Sequence, residues 1–242
     1  MAERWRRKSV SQTFLLDLLD AELDRLALGD TRPLDVVDVG GGTGGLATAL
    51  AAQGHQVTVI DPSPDALASL ERRTADAGQK GRIRGVQGDA ADLAQIIGAH
   101  RADVVVCHRV LEVVDSPADA LAAMADVLRP GGVLSLLVSQ RHALVLTQAL
   151  AGHIALARRT WAEQSRFDEQ RVITLVEQAR FAVLARHGVG AIADHVPESL
   201  VEADPQNSAE LLALEAEISQ DPAFRALAPQ LHVFAQVQSR PR

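Results

Sequence analysis

Five of the six residues between positions 40 and 45 are glycine, and the run Val36-Val37-Asp38-Val39 stands directly before them. Val36, Val37 and Val39 are β-branched, stiff at χ1 and suited to a buried strand. The residues after the glycines, Leu46 to Ala52, are good or tolerable helix formers. Gly40 to Gly45 therefore reads as a strand-to-helix loop. Without β-carbons such a loop takes positive φ and lets a ligand approach the backbone. A helix N-terminus with free N–H groups also favours a negatively charged group. The spacing Gly40-x-Gly42-x-x-Gly45, with Asp61 about 20 residues on, fits the dinucleotide fingerprint. A tight turn with no ligand fits it too, although five glycines exceed what a turn needs. The loop alone does not choose the ligand.

Around it the chain alternates strand and helix patterns. Strands are expected at Val36–Val39, Gln56–Ile60, Arg82–Gln87, Asp103–His108, Val133–Val138, Phe181–Leu184 and Leu231–Val237. Ser63-Pro64 and Ser116-Pro117 read as N-cap and first turn of helices. Arg129-Pro130-Gly131-Gly132 is expected to end the second of these. Asn207 with Glu210 looks like the capping box of a later helix. The alternation implies an α/β chain with a mostly parallel sheet and helices on both faces. Ligands of such sheets bind beyond the strands' carboxyl ends. Gly40, Asp61, Asp89 and His108 all fall at expected strand ends, which points to one shared site.

The expected organisation is one domain over 1–242. An amphipathic helix opens it within 1–30, carrying Phe14, Leu15, Leu18, Leu19, Leu23 and Leu26 after a basic start from Arg4 to Lys8. Segments 141–165 and 196–228 read as insertions forming a helical cover, with core packing as the plainer reading of their apolar residues.

Several function classes are disfavoured. A formal net charge of −7 argues against nucleic-acid binding by bulk charge, though a local basic patch is compatible with it. The segment from Arg141 to Arg186 does carry more arginine than carboxylate, which permits a phosphate-bearing substrate. The single cysteine, Cys107, precludes an internal disulfide framework, fits a reducing compartment and reads as core. No Cys/His cluster has zinc spacing, and no metal is expected. No apolar run is long enough to span a membrane, so a cytoplasmic protein is expected.

The acidic residues then discriminate among cofactors. Asp38 lies two residues before the loop, where a carboxylate would repel a pyrophosphate but suit an amine or cation. Asp61 ends the second strand and suits two ribose hydroxyls. Asp89 after Gly88 suits an adenine amino group. Together they describe adenine, ribose and a positively charged tail. On this reading the N–H groups of the glycine loop face a carboxylate.

Asp38-x-Gly40-Gly41-Gly42-Thr43-Gly44, Asp61, Gly88-Asp89, Asp103 to Glu112 and Leu128 to Gly132 resemble, in order, the motifs of class I S-adenosylmethionine-dependent methyltransferases. Cys107 to Val114, Arg129 to Leu136, Ala143 to His153 and Leu231 to Ala235 are similar to the CmoM and SmtA-like tRNA 5-carboxymethoxyuridine methyltransferases. The resemblance implies a Rossmann-like, seven-stranded, mostly parallel sheet with an antiparallel last strand. It implies S-adenosyl-L-methionine as cofactor and methyl transfer to a carboxylate oxygen. The acceptor is tRNA or a small molecule; a chain that binds the cofactor without transferring methyl is the alternative. It also implies cofactor contacts from Gly41, Gly42, Asp61, Ala90, Ala91 and His108. Asp38, Gly40, Gly44, Pro62 and Asp89 complete the expected cofactor set. A carboxylate acceptor is already ionised and needs only aiming, for which Arg109, Arg141, His142 and His195 are candidates. An alcohol or amine would need a base, from His108, His142 or His195. Glu112 is placed either near the ligand or in solvent.

Overall fold

The computed structural model describes residues 9–27, 32–163 and 165–238. The basic run Arg4 to Lys8 lies outside the described residues. In chain order the elements are α1 (Val10–Ala27), β1 (Asp35–Val39), α2 (Gly45–Ala52), β2 (Gln56–Asp61), α3 (Pro64–Asp76), β3 (Ile83–Gln87), α4 (Leu93–Ile97), β4 (Ala102–His108), α5 (Pro117–Val127) and β5 (Leu128–Ser139). They continue with α6 (Arg141–Leu150), α7 (Ile154–Ala162), α8 (Glu169–Gln178), β6 (Phe181–Val189), α9 (Glu198–Ala203), α10 (Pro205–Ile218), α11 (Pro222–Leu227) and β7 (Gln230–Val237).

The seven strands form one sheet in the order β3-β2-β1-β4-β5-β7-β6, mostly parallel with antiparallel last strands. The chain leaves β1 toward β3 and returns to β4 on β1's other side. The strand order therefore switches between β1 and β4, the usual place for a ligand crevice. Register brings the strand ends level there: Val39 pairs with Ile60 and Cys107, and Asp61 with Gln87. Val36, Val37, Val39, Val57, Val59, Ile60, Val104, Val105 and Val106 are buried, as strands covered on both faces require.

Two compact units are distinguished. One comprises residues 31–139, 169–186 and 232–242, and holds most of the sheet; the other comprises 1–30, 140–168 and 187–231. In the first unit Ser63 and Ser116 cap α3 and α5, accepting from the Ala66 and Asp119 N–H groups, with proline in the first turn of each. In the second unit Phe14, Leu19 and Leu23 are the buried stripe of α1, which packs on α10.

The local expectations differ from the structure in two places. Arg129 to Gly132 does not end α5 as a turn but opens β5. Ala102 pairs with Leu128 and Val104 with Val133, so these residues swell out of the β4–β5 ladder, with Gly131 at φ 82°. The Arg129 guanidinium anchors the swelling, donating to Asp35 at 2.8 Å and forming an ion pair with Asp103 at 2.7 Å. Burial opposes ionisation of Asp103, but hydrogen bonds from Arg32, the Asp35 N–H and Arg129 outweigh it and hold its carboxyl down at about 2. The second difference is the cap of α10: Asp204 accepts from the Gln206 N–H, while Asn207 sits within the helix and donates to the Leu200 carbonyl. Proline at the helix start favours the earlier cap. The apolar, helical segment after β5 comprises α6 and α7, divided near Gly152 at φ 82°.

Candidate functional site

A cavity of about 250 Å³ opens at the carboxyl ends of β1, β2 and β4, lined by Gly40, Asp61, Pro62, Gly88, Asp89, Ala90, His108, Arg109 and Val110, among others. All belong to the first unit. The four residues singled out at expected strand ends, Gly40, Asp61, Asp89 and His108, thus share one wall-to-wall space.

Of the glycine loop Gly40 lines the cavity, whereas Gly41, Gly42 and Gly44 do not, and the loop is shaped largely from within. The Gly40 N–H donates to the Ile60 carbonyl at 2.7 Å, the Gly42 N–H to Asp61 Oδ2 at 2.9 Å and the Gly44 N–H to the Gly41 carbonyl at 3.0 Å. These alternate N–H groups are committed to the protein, so the loop does not offer all its donors to a ligand carboxylate. A β-carbon on Gly41 would collide with Asp38 Oδ2, and one on Gly44 with Leu70. Gly44, left-handed at φ 76°, caps α2. Close packing against the chain's own side chains therefore accounts for part of the glycine content.

Asp38 is buried beneath this loop, and among the described residues its Oδ2 has no hydrogen-bond partner. Burial, then the charge of Asp61, pushes its carboxyl up to about 7. Such an orphaned acceptor suits an adjacent amine or cation. Asp61 is held by two backbone donors, Gly42 N–H to Oδ2 and Ser63 N–H to Oδ1, both 2.9 Å. Each oxygen keeps acceptor capacity for a further donor. Asp89 caps the short helical turn Ala90–Asp92, its Oδ1 accepting from the Ala91 N–H at 3.2 Å, and its side chain is exposed. Ala91 is exposed beside it.

His108 and Arg109 form the opposite wall. Burial pushes the His108 imidazole down to about 4, so the ring is neutral near pH 7. It is held at 2.9 Å by the Ser135 hydroxyl. A ring this acidic is a poor base toward an alcohol at neutral pH. Arg109 adopts φ 61°, uncommon for a residue with a side chain, and its N–H bonds the Leu137 carbonyl at 2.7 Å. Its exposed side chain makes no ion pair among the described residues. Glu112 accepts from the Ser139 N–H at 2.6 Å, tying the turn after β4 to the end of β5. Cys107 is fully buried, and burial pushes its thiol up, which makes it core.

The remaining candidates belong to the second unit. Arg141 pairs with Asp168 at 2.7 Å and lies over the Trp161 ring at 5.1 Å, so its guanidinium is already engaged. The His142 ring is 5.8 Å from Trp161. His195 is exposed at the end of the short turn Ala193–His195. Sequence reasoning missed Glu215, fully buried on α10, whose carboxylate accepts the N–H groups of Ala191, Ile192 and Ala193 at 2.7, 3.1 and 3.0 Å. The available signal was its place on the apolar stripe of α10, four residues from buried Leu211. Among the described residues no group of three or more His, Cys, Asp or Glu is placed to hold a metal ion, and no helix is long and apolar enough to cross a membrane.

Residues 37–136 match a family described as a methyltransferase domain. The chain is 29% identical over 227 residues to the tRNA 5-carboxymethoxyuridine methyltransferase of Escherichia coli K12, covering 90% of this chain and 86% of the other. It is 33% identical over 164 residues to a ubiquinone biosynthesis O-methyltransferase of Xanthomonas campestris, covering 65% of each. Its fold matches an S-adenosylmethionine dependent methyltransferase of Mesorhizobium loti with a TM-score of 0.58 at 16% identity, over 89% of this chain and 97% of the other.

Proposed function

We propose that this chain, which belongs to the class I S-adenosylmethionine-dependent methyltransferases, methylates a carboxylate oxygen, with 5-carboxymethoxyuridine in tRNA as acceptor. The observation that carries the carboxylate assignment is Arg109, an exposed arginine without an ion pair among the described residues, on the wall of the cavity and in a strained backbone conformation. A guanidinium there suits bidentate aiming of a planar carboxylate.

Two cavity residues, Asp61 and Asp89, and the buried Asp38 near them suit the cofactor. Asp61 would take the ribose hydroxyls, Asp89 the adenine amino group, and the orphaned Asp38 oxygen the positive end. When bound, S-adenosylmethionine supplies a sulfonium-activated methyl group, and displacement by the acceptor oxygen breaks the carbon–sulfur bond and leaves S-adenosylhomocysteine. No proton has to be removed from a carboxylate, which agrees with a His108 too acidic to serve as base. The protein contributes position and electrostatics.

The tRNA assignment rests on the breadth of the similarity. It spans 90% of the chain, well past the methyltransferase domain itself. In the arginine-rich segment most guanidiniums are engaged: Arg141 with Asp168, Arg166 with Glu163, Arg180 with Asp126 and Arg186 with Glu169. Arg158 and Arg159 on α7 are exposed, and residues 141–162 contain no carboxylate. We assign these two to the phosphate backbone.

The test is incubation with methyl-labelled cofactor and total tRNA, beside a metabolite extract. Label in tRNA that mild alkali releases is expected for a methyl ester. Label only in small molecules, or alkali-stable label in tRNA, would overturn the acceptor assignment.

A further inference from the structure

His108 is one end of a buried chain of polar side chains that runs across three neighbouring strands. Its Nε2 lies 2.9 Å from Ser135 Oγ, and Ser135 Oγ lies 2.9 Å from His232 Nε2. The three residues stand on β4, β5 and β7, adjacent in the sheet. His108 pairs in register with Leu137, and Ser135 precedes Leu137 by two, so His108 and Ser135 share one face. Ser135 and His232 are wholly buried, and of the three only His108 lines the cavity. Phe234 packs edge-on against the His232 ring at 4.3 Å, and the two imidazoles meet edge-to-face at 5.9 Å.

The hydroxyl of Ser135 carries one proton. Bonded to a ring nitrogen on either side, it donates to one Nε2 and accepts an N–H from the other. We infer that Ser135 and His232 are positioning residues that fix the tautomer of His108, and so decide whether its other nitrogen, Nδ1, acts as donor or acceptor toward the bound cofactor. The two rings then hold opposite tautomers: one bears its proton on Nε2, the other on Nδ1. His232 itself does not line the cavity, and it acts through the serine. A central strand carrying a buried serine between two histidines, where Leu134, Leu136 and Val138 are otherwise apolar, gains nothing in packing from these polar groups. The inference rests on the assignment of the cavity to S-adenosylmethionine; its test separates the two.

Nitrogen-15 spectra of histidine-labelled full-length protein report each tautomer directly. Opposite tautomers for His108 and His232 are expected, with His108 becoming a mixture in Ser135→Ala. The same tautomer at both rings would overturn the relay. Affinity for S-adenosylhomocysteine is the second readout. Ser135→Ala should lower it about 3- to 10-fold in the native background, the effect of one weakened hydrogen bond, and should lower it no further in a His108→Ala background. An equal loss in both backgrounds would mark Ser135 as merely structural and overturn the inference. Should Ser135→Ala fail to fold, His232→Gln and His232→Phe replace it: glutamine retains a hydrogen-bonding group near the position of Nε2 and should bind like the native chain, whereas phenylalanine should not. Equal binding by the two would overturn the inference. Opposite tautomers together with an affinity indifferent to His108→Ala would uphold the relay and overturn the cofactor contact instead.

Discussion

Asp38 and Gly41 are locked against each other: the Asp38 carboxylate occupies the space into which a Gly41 β-carbon would project. The loop and the buried carboxyl group beneath it are therefore one unit. Gly41→Ala must displace Asp38 or the loop. The expected cost is about 1–3 kcal/mol of stability, in line with overpacking of a tight interior, accompanied by weaker cofactor binding. Chemical denaturation and calorimetric titration measure the two effects. A variant with native stability would mean that the loop yields freely.

The raised pKa of Asp38, about 7, has a consequence with a definite sign. Between about pH 4 and 7 the folded chain holds a proton that the unfolded chain releases, so this group's stabilising effect falls as pH rises through that window. His108 and His187, both pushed down by burial to about 4, act in the opposite sense between about 4 and 6.5. The Asp38 part is therefore read as a difference. Native protein minus Asp38→Asn should lose relative stability from about pH 4 to about pH 7. A cation placed beside Asp38 favours its ionised form, so affinity for S-adenosylmethionine should rise over the upper part of this range in the native chain and stay flat in the variant. A flat native profile would mean that Asp38 does not meet the cofactor.

Glu215 organises the second unit in a comparable way. Its carboxylate satisfies three consecutive backbone N–H groups, and a β-carbon at Gly190 would collide with the Asp194 carboxylate. Glu215→Ala leaves those donors unpaired and is expected to cost about 3 kcal/mol or more. Glu215→Gln retains one acceptor oxygen and should cost less. Hydrogen exchange at Ala191, Ile192 and Ala193 would show local opening in the alanine variant. Unaltered protection there would contradict this role.

The strands and the acidic residues at their ends were legible because the signals are local. Runs of β-branched residues, Ser-Pro helix starts and acidic residues at strand ends each act within a few positions. Gly40, Asp61, Asp89 and His108 were accordingly expected together and line one cavity. What escaped depends on partners distant in sequence. Arg129 looked like part of a turn because its carboxylates, Asp35 and Asp103, are 94 and 26 residues away. Asn207 has the chemistry of a cap, but Pro205 in the first turn sets the helix start earlier, at Asp204. Ser135 and His232 are 97 residues apart, and neither carries any sign of the other. Glu215 betrayed itself only by standing on an apolar stripe. The loop's own hydrogen bonds, from Gly40, Gly42 and Gly44, were hidden for the same reason: their acceptors include the Ile60 carbonyl and the Asp61 side chain.

The claim that this cavity holds S-adenosylmethionine is tested most directly by calorimetric titration of the full-length chain with S-adenosylhomocysteine and with NAD, in the native protein and in Asp61→Ala. S-adenosylhomocysteine should bind and NAD should not. Loss of the charge-assisted ribose bonds should weaken binding by roughly 2–3 kcal/mol, a factor of about 30 to 150. Tight NAD binding without a response to S-adenosylhomocysteine, or an affinity unchanged by Asp61→Ala, would contradict the assignment.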